Sequence, residues 1–292
     1  MLINLKEILD IAEARKIAVG SFNTPNLEAI RAVVEAAEEL ELPVIIQFAQ
    51  CHESWISLRT IGPIMVDAAK KSSVPVCVHL DHGETLDYLQ EALDLGFTSI
   101  MYDGSALSYQ ENLENTKKAV VMASKTDASV EAELGSMGRR ESGIGEGLEM
   151  DDDTKIYTDP KQASGFVKQT EVTALACSFG TTHGIYFKRP NLDFGVVKNV
   201  RVLTDGIPVV MHGGSGVSRL DYYKAIESGV RKINYFTYLD KAGGISIVDY
   251  LQAVNVDEPV FFSTMLEVGR KAMKENAKNA MRMFAMIDQE EK

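Results

Sequence analysis

Short apolar runs alternate along the chain with amphipathic stretches whose hydrophobic positions recur every three or four residues. Such a run, when it is rich in β-branched side chains, predicts a buried strand, and the longer spacing predicts a helix that packs against it. Residues 27–39 place Ile30, Val33, Val34 and Ala37 on one helical face. The same reasoning predicts eight strands, at residues 17–22, 43–48, 74–80, 99–102, 129–134, 175–179, 209–211 and 232–235.

Eight strand–helix units in a chain of 292 residues predict an α/β fold, a (β/α)8 TIM barrel that forms a single domain over residues 1–292. A doubly wound open sheet is the alternative, but eight repeats without a linker favour the barrel. Residues 5–14 predict an N-terminal capping helix that closes the barrel bottom, and residues 266–286 predict a long C-terminal helix. Residues 255–263 predict the loop before that helix.

The composition excludes some classes of binding partner and indicates a cellular compartment. A net charge of −12 argues against binding to nucleic acid or to an anionic membrane surface. Three cysteines without motif spacing indicate a reducing compartment. The polar N-terminus does not resemble a signal peptide, and no apolar stretch is long enough to span a bilayer. We therefore expect a cytoplasmic protein whose partners include neither nucleic acid nor membrane.

Three of the five histidines follow predicted strands. Asp81 and His82 end the third strand, His183 follows the sixth, and His212 follows the seventh. For Asp81 and His82 alone, a helix N-cap beside surface histidines is an equally good interpretation, and any single histidine could be an ordinary loop residue. Three histidines at equivalent strand ends converge on one barrel mouth, and they predict a site for a catalytic Zn²⁺ or a similar ion.

Other polar groups suggest an anion site and a supporting layer. Gly213–Gly216, with Ser215, precedes a helix after the seventh strand, where barrels often bind phosphate. Asn234 and Thr237, near the end of the eighth strand, could complete this cradle. His79 lies inside its strand and is expected to be hydrogen-bonded within the barrel, whereas His52 is expected to be a plain loop residue.

Residues 135–153 form a loop that is long for a compact barrel. The segment contains five glycines, followed by several acidic residues. Loops of this length are usually active-site lids or disordered segments. Thr158-Asp159-Pro160 then predicts the capped start of the next helix, with proline at its first position.

Taken together, these motifs resemble class II, metal-dependent ketose-bisphosphate aldolases, a family that includes fructose- and tagatose-bisphosphate aldolases. The resemblance runs from about residue 21 to the terminal helix. The matching motifs are His79-Leu80-Asp81-His82, Asp103-Gly104-Ser105, Val130-Glu131-Ala132-Glu133-Leu134-Gly135, Thr182-His183-Gly184, His212-Gly213-Gly214-Ser215-Gly216 and Lys232-Ile233-Asn234.

The resemblance implies a role for each matching residue. Asp81 would exchange a proton with the oxygen at the scissile bond, and Glu141, on the glycine-rich loop, would move the carbon-bound proton of the donor. Glu133 would be a metal-associated carboxylate. The divalent-metal ligands, normally of Zn²⁺, would be His82, His183 and His212. Dihydroxyacetone phosphate would be held by Gly184, Gly213, Ser215, Asn234 and Thr237.

The family also implies a monovalent cation, Na⁺ or K⁺, near the phosphate, a sugar-phosphate substrate and a homo-oligomer, either dimer or tetramer. The residue types agree with this chemistry, because retro-aldol cleavage needs an electron sink, which a Lewis-acidic metal supplies, and an acid/base, for which an aspartate suffices. A Schiff-base lysine is not needed, and Lys232 is expected at the far end of the eighth strand.

The chain departs from the family where the family's second-phosphate arginine should stand. The corresponding stretch reads Glu258-Pro259-Val260, and Val260 is expected in an apolar setting beside two phenylalanines. Tyr235 and Phe236 also replace small residues. We therefore expect an aldolase that uses dihydroxyacetone phosphate and an aldehyde without a phosphate, although Arg139, Arg140 or Lys188 could replace the arginine.

Three alternatives remain open at this stage. An ordinary fructose- or tagatose-1,6-bisphosphate aldolase would prefer a phosphorylated aldehyde. A metal-dependent hydrolase would not need the glycine-rich cradle together with Asn234 and Thr237. A non-catalytic paralogue would be free to lose Asp81 or one of the histidines, and this chain keeps all four residues.

Overall fold

Eight parallel strands close into a barrel, which confirms the predicted TIM-barrel fold. The computed structural model describes residues 1–135, 157–186, 189–255 and 257–287. Each barrel strand pairs with the next, and the first pairs with the last to close the barrel. The barrel strands are β2 Val19–Asn23, β3 Val44–Ala49, β4 Val76–Gly83, β5 Ser99–Tyr102, β6 Ser129–Leu134, β7 Ala174–Cys177, β8 Val209–Met211 and β9 Val230–Tyr235.

Helices follow the strands and begin at local capping signals. Asp159 accepts hydrogen bonds at the start of α6 and Pro160 is its first residue, as predicted. The C-terminal helix begins at Phe262, four residues before its predicted start at 266. The helices are α1 Leu5–Arg15, α2 Leu27–Leu40, α3 Leu58–Lys71, α4 Leu86–Asp94, α5 Tyr109–Ala123, α6 Pro160–Thr170, α7 Phe194–Leu203, α8 Arg219–Ser228, α9 Thr237–Ala253 and α10 Phe262–Phe284.

Helix α1 closes the barrel at the amino-terminal ends of the strands. Its buried residues Leu5, Ile8 and Leu9 form a cluster with Ile45 and Cys77, which belong to barrel strands. This contact confirms the predicted N-terminal capping helix. A short strand that sequence reasoning missed, β1 Leu2–Ile3, pairs in parallel with β4 beside this helix.

The barrel interior changes from apolar to polar along the strand direction. Above the apolar cluster, Gln47, His79, Glu131 and Lys232 are fully buried on four different strands. Buried polar groups require partners. Gln47 contacts Asn23 and Asp81 near the carboxyl ends of the strands, His79 contacts Ser99, and Lys232 pairs with Glu131. This end of the barrel is where TIM-barrel active sites form.

Helix α10 packs against α2 and α9 on the outside of the barrel. Its end returns to the first barrel strand, because the Ala18 amide donates to the Phe284 carbonyl at 3.0 Å. Within the described residues, none of the helices has both the length and the apolar character that crossing a membrane requires.

Candidate active site

The end of β4 brings Asp81 and His82 to the same side of the barrel. Neighbouring residues of a regular strand point to opposite faces. Here the β4–β5 register shifts between Leu80 and Gly83, and His82 has a left-handed φ of 48°. Thr85 is the N-cap of α4, so the N-cap interpretation of Asp81 is wrong.

The three histidines expected to bind a metal lie together. Their candidate ligand atoms all lie within 4.8 Å of one another. Nε2 of His82 is 3.0 Å from Nδ1 of His212, and the His183 ring lies edge-on to the His82 ring with a centroid separation of 5.2 Å. The loops after three strands therefore converge at the barrel mouth as the sequence predicted.

Carboxylates hold the outer nitrogens of two of these rings. Nδ1 of His82 is 2.8 Å from an oxygen of Asp103, and Nε2 of His212 is 2.8 Å from Oε1 of Glu131. A carboxylate on one ring nitrogen fixes the tautomer and directs the other nitrogen into the site. In the sequence, Asp103 and Glu131 stand out only as parts of motifs. Sequence reasoning missed their roles as partners of His82 and His212.

The charges on the two rings differ. Burial lowers the pKa of His82, but Asp81, Asp103 and Glu133 raise it, to about 10. Burial and the neighbouring His82 hold the pKa of His212 well below its ordinary value. The cluster therefore contains one imidazole that the surrounding acids favour in its charged form and one that stays neutral.

Glu133 completes a donor set that fits a divalent metal ion. Its Oε2 atom is buried, has no hydrogen-bond partner among the described residues and is 3.8 Å from Nδ1 of His212. Burial, followed by the charge of Asp103, raises the pKa of Glu133 well above its ordinary value. Facing imidazoles with a carboxylate nearby are ligands that zinc accepts, so the residues present fit such an ion.

Three side-chain amides hold the Asp81 carboxylate. Oδ2 accepts from Asn23 at 3.1 Å and from Gln47 at 3.0 Å, and Oδ1 accepts from Asn234 at 3.1 Å. Burial raises the pKa of Asp81, but His82, His212, Lys232 and the Asn23 amide lower it to about 2. Asp81 is therefore ionised and fixed in orientation at neutral pH.

Sequence reasoning missed Asn23 and Gln47 as partners of Asp81. The available signal was a side-chain amide at an inward position of each of two largely apolar strands. The expectation for Lys232 was also wrong. Its side chain lies inside the barrel, fully buried, with its ammonium 2.9 Å from Oε2 of Glu131.

An open cavity lies over these groups. In the part of the chain that the structure describes, its lining contains no lysine or arginine. Val260, Phe261 and Phe262 are exposed rather than buried together, which corrects the apolar setting expected for Val260. The cavity is lined by Asn23, Ala49, Cys51, Asp81, His82, Glu84, His183, Gly213 and Asn234.

The residues expected to bind phosphate lie in the loops after β7 and β8, at the end of β9 and at the start of α9. Gly213 and Asn234 line the cavity. Ser215 is buried and accepts from the Phe236 amide at 3.1 Å. A Cβ on Gly213 would lie 2.3 Å from the Thr182 carbonyl oxygen, so this tight turn requires glycine. Gly184 stands in the loop after β7, and Thr237 is the first residue of α9.

The other two histidines have different environments. Nδ1 of His79 is 2.7 Å from the Ser99 hydroxyl, which confirms the expected hydrogen bond. His52 is not a plain loop residue, because it is buried and stacks on Trp55 with a centroid separation of 4.7 Å. Glu141, together with Arg139, Arg140 and Lys188, lies outside the described residues.

Comparisons with known proteins agree with this geometry. The family model described as fructose-bisphosphate aldolase class-II matches residues 3–289. The chain is 36% identical over 290 residues to the fructose-bisphosphate aldolase of Staphylococcus aureus strain Mu50, with 97% of each chain covered. It is 37% identical over 284 residues to Escherichia coli K12 YdjI, with 97% of this chain and 98% of that protein covered.

Solved structures give the same result. The crystal structure of the YdjI aldolase from E. coli K12 matches with a TM-score of 0.84 and 35% identity, and the match covers 97% of each chain. Campylobacter jejuni fructose-bisphosphate aldolase matches with a TM-score of 0.80 and 25% identity, over 97% of this chain and 95% of that one. The protein belongs to the class II fructose-bisphosphate aldolase family and is a lyase.

Proposed function

We propose that the protein is a divalent-metal-dependent aldolase that uses dihydroxyacetone phosphate as donor and an aldehyde without a phosphate as acceptor. One observation carries the reaction type. The ligand atoms of His82, His183 and His212 face one another, and Oδ1 of Asp81 lies 3.9 Å from Nε2 of His82. A metal-binding set next to a fixed carboxylate suits cleavage of a carbon–carbon bond beside a hydroxyl.

In this proposal the three histidines hold Zn²⁺ or another divalent ion, with Glu133 close by. When bound, such an ion supplies Lewis-acid chemistry to the ketose carbonyl. The carboxylates of Asp103 and Glu131 keep the His82 and His212 rings oriented toward it. Neutral imidazole is the ligand form, so binding requires His82 to release its proton.

Asp81 takes a proton from the hydroxyl at the scissile bond during cleavage and returns it during condensation. The amides of Asn23, Gln47 and Asn234 donate to its two oxygens, and these hydrogen bonds keep the carboxylate in one position. General acid–base catalysis of this kind needs the group within hydrogen-bond reach of the reacting oxygen. The position of Asp81 in the cavity lining supports that reach.

The donor phosphate is assigned to the turn after β8 and its neighbours. Gly213 and Ser215 offer backbone and hydroxyl donors in a turn that precedes α8, and exposed donors of this kind favour anions. Gly184, Asn234 and Thr237 complete the set by resemblance to the family. The family also supplies the expectations of a Na⁺ or K⁺ ion near the phosphate and of a dimer or tetramer.

A second proton transfer is assigned to Glu141, also by resemblance to the family. This transfer moves the proton on the donor carbon. Asp81 cannot accept that proton while it exchanges a proton with the hydroxyl at the scissile bond. The assignment is independent of the described geometry, and a substitution tests it directly.

We infer that the acceptor has no phosphate from the charges of the residues that line the cavity. The described part of the cavity lining contains Asp81 and Glu84 but no lysine or arginine. Val260 stands where the family has an arginine, and guanidinium groups are well suited to bidentate phosphate contacts. Beside two carboxylates, and with no lysine or arginine among the described lining residues, a second phosphate dianion would be disfavoured.

The second candidate is an ordinary fructose- or tagatose-1,6-bisphosphate aldolase. It is favoured by the name of the S. aureus relative, a fructose-bisphosphate aldolase of which this chain matches 97%. In that case a cation outside the described residues would hold the second phosphate. The family assignment as a lyase argues against the hydrolase and the non-catalytic alternatives.

The test compares kcat/KM for condensation of dihydroxyacetone phosphate with glyceraldehyde 3-phosphate and with glyceraldehyde. The same donor and zinc concentration serve in both reactions, and other neutral and carboxylated aldehydes extend the panel. We expect the neutral aldehyde to be used at least as well as its phosphate ester. A clear preference for glyceraldehyde 3-phosphate would support the bisphosphate candidate instead.

A further inference from the structure

Lys232 lies between the two functional parts of the candidate site. Its ammonium is 2.8 Å from Oδ1 of Asn234 and 2.9 Å from Oε2 of Glu131. Asn234 donates to Asp81, and Glu131 accepts from His212. A continuous buried chain of contacts therefore runs from the proton-transferring carboxylate to a metal-binding imidazole through this one ammonium.

We propose that Lys232 is a positioning residue that orients Asp81 through Asn234 and His212 through Glu131. The proposal rests on the proposed function, because it concerns how that site is held together. Lys232 is not among the residues that line the cavity, and its ammonium contacts Asn234 and Glu131. Its effect on the reaction is therefore indirect.

The contact with Asn234 fixes the direction of an amide. An ammonium only donates hydrogen bonds, so the amide oxygen of Asn234 must face Lys232. The amide NH₂ group must then face Asp81, where a carboxylate oxygen accepts it at 3.1 Å. With Lys232 removed, the amide can turn its oxygen toward Asp81, and the two oxygens would repel each other.

The contact with Glu131 fixes the direction of an imidazole. Glu131 is fully buried, and a buried carboxylate without a cation is strongly disfavoured. Paired with Lys232, it accepts from Nε2 of His212 at 2.8 Å. That hydrogen bond leaves Nδ1 of His212 facing Nε2 of His82 at 3.0 Å.

The neighbouring residue on the same strand provides a matched control. Arg231 is also a buried cation, but its guanidinium pairs with Glu13 on α1, 2.7 Å away. Arg231→Met therefore removes a partly buried ion pair outside the site. We expect it to lower the thermal stability and to leave the zinc affinity and the cleavage rate unchanged.

The experiment measures zinc affinity by competition with a chelator, cleavage rate at saturating zinc, and thermal stability, for Lys232→Met and Lys232→Gln. Loss of a supporting partner typically lowers metal affinity about 10- to 100-fold, and we expect this for both variants. At saturating zinc, cleavage should fall at least about tenfold in Lys232→Met, as for loss of a hydrogen bond to a charged group. Lys232→Gln should recover part of that rate, because its amide can still donate to Asn234.

The double variant Glu131→Gln/Lys232→Met keeps the test decisive if the single variants do not fold, because it buries no unpaired charge. A merely structural ion pair predicts that the double variant regains both zinc affinity and cleavage. The proposal predicts that its cleavage stays at least about tenfold low at saturating zinc. Wild-type zinc affinity and cleavage in folded Lys232→Met, or full recovery in the double variant, would overturn the proposal.

Failure of the proposed function gives a different pattern. A wild-type protein that binds zinc but neither cleaves a ketose phosphate nor condenses dihydroxyacetone phosphate with an aldehyde would contradict the aldolase assignment. The zinc affinities of the Lys232 variants would still decide whether Lys232 positions His212. An unchanged affinity in that case would overturn the inference separately.

Discussion

Oδ1 of Asp81 lies 3.9 Å from Nε2 of His82, although the two residues are adjacent on one strand. A regular strand would send one of these side chains into the barrel and the other toward the helices. The left-handed φ of His82 and the register shift before Gly83 turn both inward. One short irregularity thus places the candidate acid/base beside the candidate metal ligand.

Gly83→Ala tests this irregularity. A Cβ at Gly83 would lie 2.4 Å from Cδ1 of Leu89 and 2.9 Å from the Met101 carbonyl oxygen, so β4 must shift. We expect a stability loss of about 1–3 kcal/mol, as for overpacking, and weaker zinc binding by chelator competition. Gly244→Ala is the control, because no atom of the described residues outside its own helix backbone and chain neighbours lies within 4 Å of its Cβ position. Equal zinc affinities in the two variants would show that the irregularity does not position His82.

Much of the architecture follows from the hydrophobic pattern. The eight barrel strands and the convergence of the three histidines were predicted, because the carboxyl ends of parallel strands meet at one barrel mouth. The regular alternation of side chains along a strand would point His82 toward the helices instead of into the barrel. The irregularity that turns it inward has no clear sequence signal. The burial of Lys232 was also missed, because a lone lysine is usually exposed unless a distant residue such as Glu131 pairs with it.

Replacing Asp81 separates proton transfer from metal binding. Asp81→Ala removes the carboxylate but none of the three histidines, so zinc stoichiometry should be retained. Carbon–carbon cleavage should fall by roughly 10²–10⁴-fold, the usual contribution of general acid–base catalysis. The comparison uses Asp159→Ala, which removes the N-cap of α6 at a cost of about 1 kcal/mol without touching the site. A near-normal cleavage rate in Asp81→Ala would return this residue to a structural role.

His52 should make the protein sensitive to acid. Burial lowers its pKa from 6.5 to about 4, so below pH 6.5 the unfolded chain binds a proton that the folded protein does not. The contribution of neutral His52 to the free energy of unfolding is therefore fully present above pH 6.5. It is lost as the pH falls toward 4, by about 3 kcal/mol. Denaturant unfolding at pH 7 and pH 4 should show this extra loss in the wild type but not in His52→Phe. An equal loss in both proteins would contradict the assignment.

Glu141 is tested by separating the rate of proton exchange from the affinity for the donor. Glu141→Gln keeps the size of the side chain but removes its ability to accept a proton. Exchange of the carbon-bound proton of dihydroxyacetone phosphate with solvent should slow by roughly 10²–10⁴-fold, while donor binding changes little. Proton exchange can be followed by the loss of deuterium from labelled donor, and binding by inhibition constants. If binding weakens as much as exchange slows, Glu141 serves only to hold the donor.

The central claim is that catalysis depends on a metal ion held by His82, His183 and His212. The most direct measurement follows condensation of dihydroxyacetone phosphate with glyceraldehyde in zinc-loaded, chelator-treated and zinc-restored protein, with zinc content determined for each. We expect turnover to disappear with the metal and to return with zinc, and His183→Ala to lose both stoichiometric zinc and turnover. Full activity in metal-free protein would contradict the account.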